Sequence, residues 1–170
     1  MSTAVDRRSS PAVIATWVEF DPGAADEISG ALTNLLADVF VLYLKTKGFH
    51  WHISGRHFYD YHLMLDGQAD QIFAMTDAIA ERVRKIGGRT ISSIGEVSRR
   101  QRLADAHATE LSPEGMLAEL YNDNVRLRGF MREAHIVCER NGDIASASVL
   151  ENWIDETERR IWFLYEVMRD

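Results

Sequence analysis

The stretch Lys47-Gly-Phe-His50-Trp-His-Ile-Ser-Gly55-Arg-His-Phe58-Tyr-Asp-Tyr-His62-Leu-Met-Leu-Asp66, continued through Asp77 and Glu81 to Gly87-Gly88, decides the fold. It carries two histidines and three carboxylates at spacings that suit a metal ion, inside a segment otherwise patterned for helix. From about Phe58 to Ile86 the apolar residues Leu65, Ile72, Ile79, Val83 and Ile86 recur at helical spacing, and Gly87-Gly88 supplies the left-handed cap that ends it. Upstream, Ile28, Leu32, Leu35, Leu36, Val39, Leu42 and Tyr43 mark a first long amphipathic helix from Ala24 to Trp51, broken from the second by residues Ile53 to His57.

Further along, the helical period fades between Arg89 and Leu111, and so long a connection has to span a distance, with a short helix of its own expected within Val97 to Ala106. Ser112-Pro113-Glu114 then opens a third long helix: serine caps, proline takes the first helical position and glutamate complements the dipole. This helix should run to about Arg140, where Asn141-Gly142 stops it and Asp143 caps a fourth that runs nearly to Asp170. Towards the N-terminus, Asp21-Pro22-Gly23 reads as a turn, so residues 1–23 form an arm whose Trp17 and Phe20 could dock on a neighbouring subunit. The expected fold is all-α: a ferritin-like four-helix bundle over residues 24–170, with a long crossover between helices 2 and 3.

A chain of 170 residues suffices for one domain with a sizeable core. Its net charge of −7 argues against a surface built to lie on nucleic acid or anionic lipid, and is easier to reconcile with cationic cargo. The single cysteine, Cys138, leaves no partner for an internal disulfide. With no signal-like h-region and no apolar run of bilayer length, the reading is a soluble, cytoplasmic protein with no membrane segment.

His62 and Asp66 are four residues apart, as are Asp77 and Glu81, so each pair lies on one helix face about a turn apart. At ~1.5 Å per residue, however, His62 and Asp77 are separated by about 22 Å along the axis. One copy of the helix cannot bring both pairs to one ion. Two antiparallel copies can, if a two-fold axis passes near Gln71 and Ile72, with His50 joining from the end of the first helix; a site within one chain, completed by other helices, is the alternative. The mixed carboxylate and imidazole shell suits iron, manganese or zinc. Either pair alone is more often a solvated face or a core histidine; the five together shift the reading to a metal.

His50-Trp51, Gly55, Phe58, His62, Asp66, Asp77, Glu81, Gly87-Gly88 and the later Ile161-Trp162-Phe163 resemble the signature of the Dps family, the ferritin-like "DNA-binding protein from starved cells" group. The resemblance implies a hollow homo-dodecamer built from two-fold dimers. Such a shell oxidises Fe²⁺ with hydrogen peroxide in preference to dioxygen and stores the ferric mineral, suppressing hydroxyl-radical damage. By position, it implies two irons per inter-subunit ferroxidase site. Asp77 and Glu81 with His50 of the partner subunit would hold the tighter one, and the partner subunit's His62 and Asp66 the weaker. Trp51 would be either a nearby electron donor or a packing residue of the dimer interface.

Members that bind DNA often use a lysine-rich arm, whereas this arm offers Arg7 and Arg8 and no lysine, and the C-terminus, Glu166 to Asp170, has no basic tail. DNA binding is therefore not expected, and a nucleoid-condensing protein with incidental metal binding is the alternative function. A di-iron oxygenase of the same fold would show Glu-x-x-His on two helices, which this sequence lacks. His52, His57, His107 and His135, without partners at ligand spacing, read as structural. Asp143 reads as an N-cap or a pore-lining acid, Cys138 as a core residue, and Trp153 and Trp162 as packing residues.

Overall fold

The computed structural model describes residues 20–106 and 111–169. Five helices follow one another: α1 (Pro22–His52), α2 (Phe58–Lys85), α3 (Ile94–Arg100), α4 (Pro113–Arg140) and α5 (Ile144–Val167). There is no strand among the described residues. The four long helices form the expected bundle around one core, in which Leu32, Leu35, Leu42, Leu65, Ile72, Ile79, Leu120, Leu127 and Leu150 are fully buried.

Side-chain partners give the directions. Ser29 lies beside Gly88 and His50 beside His62, so α1 and α2 are antiparallel. Lys45 bonds Asp123 at 2.5 Å while Asn141 bonds Glu27 at 2.9 Å, which sets α4 antiparallel to α1. Helix α4 therefore runs parallel to α2, as a long crossover permits. Arg160 meets Asn124, and His135 meets Glu151, so α5 returns antiparallel to α4. The fourth seam, α2 against α5, is the loosest of the bundle. It is pinned near its ends, where Arg82 bonds Asp143 and Ser146 at 2.9 Å each and the Tyr61 hydroxyl donates to the Val167 carbonyl at 3.5 Å.

The terminators act as their residues dictate. Gly87, at φ +91°, closes α2: its N–H donates to the Arg84 carbonyl, and the Gly88 N–H reaches back to Val83 at 2.9 Å. A Cβ on Gly88 would sit 2.1 Å from the Ser29 hydroxyl, so this glycine also allows α2 to end against α1. Gly142, at φ +73°, closes α4 by the same pattern, with the Asp143 N–H on the Cys138 carbonyl. Ser112 accepts from the Gly115 N–H at 3.1 Å and caps α4.

Three details depart from the sequence reading. Helix α1 begins at Pro22, not after a turn, because proline is preorganised for the first helical position. The crossover helix lies at Ile94–Arg100 rather than within Val97 to Ala106, because Ser93 caps it by accepting from the Glu96 N–H while the Glu96 carboxylate accepts from Ser92. Helix α1 also is long and apolar enough to cross a membrane, contrary to expectation; that apolarity is spent largely on the bundle core.

Past α3 the chain is anchored by Arg102. Buried Asp38 of α1 accepts from the Arg102 backbone N–H at 2.6 Å, from its side chain at 2.7 and 2.8 Å, and from the Leu103 N–H at 3.3 Å. The same guanidinium covers the Phe130 ring of α4 at 3.7 Å. Burial pushes the Asp38 carboxyl above its ordinary value, outweighing these bonds. Phe20 packs against the core; residues 1–19 of the proposed arm, including Arg7, Arg8 and Trp17, lie outside the described residues, as does His107.

Candidate metal centre

The end of α1 and the first turns of α2 hold three of the five predicted ligands. His50 and His62 stack with ring centroids 3.7 Å apart and planes inclined by 22°. Each Nδ1 bonds the other residue's backbone carbonyl, His50 to His62 at 2.8 Å and His62 to His50 at 2.9 Å. A carbonyl can only accept, so both Nδ1 atoms carry hydrogen, and in the neutral rings both Nε2 atoms present lone pairs. That is the tautomer a metal requires, set by the backbone itself. Phe58 packs on the His62 ring at 4.9 Å and supports the stack from the start of α2.

Asp66 stands one turn beyond His62, with its Oδ1 3.8 Å from His50 Nε2. Lys47 makes an ion pair with it. Its hydrogen bond holds the Asp66 carboxyl below the usual carboxylate range, with smaller help from His50 and His62. The other two predicted ligands, Asp77 and Glu81, are exposed near the far end of α2. Lys85 bonds Glu81 at 2.9 Å, one turn on, and likewise holds its carboxyl low. Among the described residues no three His, Cys, Asp or Glu side chains of one chain converge on a common point. The structure thus places His50 beside His62 and beside Asp66 at one end of α2, and leaves Asp77 and Glu81 about 22 Å further along the same helix.

At the level of the expected two-fold axis, Ile72 is 0% exposed and turned into the subunit core, and Gln71 faces α5 in the α2/α5 groove. The surface residues there are Asp70, Phe73 and Ala74. Trp51 is 62% exposed and lines an open apolar cavity of about 680 Å³ with Phe40, Leu44, Ile94 and Val97. It does not pack on the imidazole pair.

The two lysines are what sequence reasoning missed. Lys47 stands three residues before His50 and Lys85 four after Glu81, so helical spacing alone places a cation beside each half of the ligand set. His135 also has partners after all: Glu151 at 3.0 Å and Glu139 at 3.4 Å, the first reached only when α5 folds against α4. His52 bonds the Gly48 carbonyl at 2.7 Å, and His57 is exposed. Asp143 is buried, caps α5 through the Ser146 N–H and pairs with Arg82, as its reading as a capping residue requires. Cys138 is a buried core residue whose thiol burial pushes up to about 12.

The Ferritin-like domain family model matches residues 29–170. An uncharacterized low temperature-induced protein of Nostoc sp. is 32% identical over 84% of this chain and 82% of its own. The DNA protection during starvation protein 1 of Deinococcus radiodurans is 28% identical over 84% of this chain and 69% of its own. Among solved structures, the Dps protein of Vibrio cholerae O1, titled a member of a broad superfamily of ferritin-like diiron-carboxylate proteins, superposes with a TM-score of 0.87 at 22% identity, covering 94% of this chain and all (100%) of that one. With the bundle, the crossover and these likenesses in agreement, the chain belongs to the ferritin-like domain family and, within it, to the Dps group.

Proposed function

We propose that this chain stores iron by oxidising Fe²⁺ at sites shared between two subunits and retaining the ferric product in a closed shell. Iron storage in general comes with membership of the Dps group. The finer reading rests on one observation: the start of α2 and the end of α1 form an imidazole-rich half-site, with both Nε2 lone pairs already free, while α2 carries a carboxylate half-site too far away to serve the same ion. An antiparallel second copy of α2 supplies the missing half to each.

In this reading His50, Asp77 and Glu81 hold the first Fe²⁺, and His62 and Asp66 the second, His50 coming from the opposite subunit to the acids. Two Fe²⁺ give one electron each to hydrogen peroxide, which takes up two protons and leaves as two waters, so no hydroxyl radical is released. Lys47 and Lys85 neutralise Asp66 and Glu81 until Fe²⁺ displaces them. Trp51, exposed beside Leu44 and Ile94, fits the packing role better than the redox one. Twelve subunits, peroxide preference and a cytoplasmic location complete the proposal by likeness to the family.

Complementation tests the shared site. A His62→Ala/Asp66→Ala chain and an Asp77→Ala/Glu81→Ala chain are each expected to lose rapid Fe²⁺ oxidation. Co-assembled at equal amounts, they should recover about one quarter of the parent rate, because half the dimers are mixed and each mixed dimer has one intact site. A mixture as inactive as its components rules the shared site out. The alternative function, DNA condensation, predicts a salt-sensitive gel shift; with a net charge of −7, none is expected at neutral pH.

A further inference from the structure

The loose α2/α5 seam encloses a groove of about 370 Å³ lined by Leu63, Gly67, Gln68, Gln71, Arg160 and Phe163, with exposed Arg159 beside it. At its inner wall is a guanidinium with an unusual surrounding. Arg160 is 1% exposed. Its Nε donates to Asn124 Oδ1 at 3.0 Å and its Nη2 to the Thr157 hydroxyl at 2.6 Å, both neutral acceptors, and its Nη1 has no protein partner. No carboxylate among the described residues lies within 4.0 Å of it; Glu156, one turn back on α5, attracts it from beyond ion-pair distance. Beside it, Gln68 is 4% exposed, and both its amide nitrogen and its amide oxygen are buried without a partner.

A buried cation without a counter-ion is among the costliest arrangements a fold can hold. Solvent in the groove can accept from Nη1 and bond the Gln68 amide, but it brings no charge to offset the guanidinium. Among the described residues, every other buried charged side chain is matched. Lys45 has Asp123 and Glu119, Asp38 has Arg102, and Asp143 has Arg82. Arg160 is the exception, and a second guanidinium, Arg159, stands at the groove where an acid would be expected.

We propose that the α2/α5 groove is a binding site for a small oxyanion of the inorganic phosphate class, held by Arg160 Nη1 and the Gln68 amide with Arg159 at the mouth. The donor fork of a guanidinium matches the oxygens of such an anion better than a halide. Gln68 sharpens the choice. Its amide nitrogen needs an acceptor and its oxygen needs a donor, and hydrogenphosphate supplies both through P–O⁻ and P–OH, whereas sulfate at neutral pH has no proton to give. The site is distinct from the proposed iron ligands and stands or falls without them.

The test is equilibrium binding of phosphate and of sulfate to the assembled protein freed of iron, so that no mineral can hold the anion. The parent should bind phosphate saturably at one site per subunit, and sulfate several-fold more weakly. Arg160→Met should weaken phosphate at least about tenfold, as expected for loss of a charge-assisted bond in a buried site. Gln68→Leu should bring phosphate and sulfate to equal affinity. Absence of saturable phosphate binding in the parent overturns the proposal without any variant. So does an isotherm unchanged by Arg160→Met, or, where that variant does not assemble, a phosphate preference unchanged in Gln68→Leu.

Discussion

The two ends of α2 carry the same number of candidate ligands in opposite states of preparation. At the N-terminal end, His62 is stacked, hydrogen-bonded through Nδ1 and buttressed by Phe58, and His50 mirrors it from α1. At the C-terminal end, Asp77 and Glu81 are exposed carboxylates with nothing to orient them but a flexible lysine. Preorganisation has been spent on the imidazoles, which need a defined tautomer. The carboxylates accept a metal from many directions and can wait for an opposing surface to order them.

The largest expected effect tests whether both ends serve one chemistry. His50→Ala combined with Asp77→Ala should slow Fe²⁺ oxidation by ten- to a hundredfold or more, the loss typical of damaged metal sites, measured by stopped-flow absorbance. A variant as fast as the parent breaks the comparison outright. Next comes Gly88→Ala, expected to cost about 1–3 kcal/mol in thermal or denaturant unfolding, because its Cβ would meet Ser29 and the end of α2 would have to shift. The sharpest contrast is in stability. His62→Ala should destabilise by about 1–2 kcal/mol by leaving the His50 carbonyl without its donor, whereas Glu81→Ala should stay within about 0.5 kcal/mol. Equal losses would mean that the N-terminal half is no better built than the other.

The smallest effect concerns Lys47. Because it lowers the folded-state value of Asp66, the stability this pair contributes is present above the unfolded carboxylate range and is lost as pH falls through the lowered value. Lys47→Met should therefore weaken the protein slightly at neutral pH, less so in acid. The same change should let a divalent cation bind the His62 and Asp66 end more tightly, which isothermal titration of the metal would register. Weaker metal binding in that variant would show that Lys47 orients Asp66 and does not compete with the metal for it.

Much of this molecule is legible in local sequence. Ser112-Pro113, Gly87-Gly88 and Asn141-Gly142 state where helices begin and end because capping is chemistry between near neighbours. The ligand spacing is legible for the same reason, and so is the axial distance that keeps the His62/Asp66 and Asp77/Glu81 pairs of one α2 from meeting at one ion. What escapes is set by residues far apart in sequence. That α1 spends a membrane-like hydropathy on a bundle core depends on α2 and α4 packing against it. The burial of Ile72, at the level expected for a symmetry axis, depends on which face of α2 turns inward. Asn124, which receives the Arg160 Nε–H, and Glu151, which pairs with His135, each come from another helix. The three-residue offset of α3 is a different matter: Ser92, Ser93 and Glu96 were readable as a cap, but the apolar period is too short there to point to them.

Arg102 has a kinetic consequence. It joins Asp38 of α1 to Phe130 of α4 across separations of 64 and 28 residues, so the whole clamp is complete only once α1, the crossover and α4 have come together. Interactions completed so late are expected to have low φ-values, forming after the folding transition state. Asp38→Asn should then leave the refolding arm of a chevron nearly unchanged and raise the unfolding arm. The clamp thus governs how long the assembled bundle stays folded far more than how fast it forms.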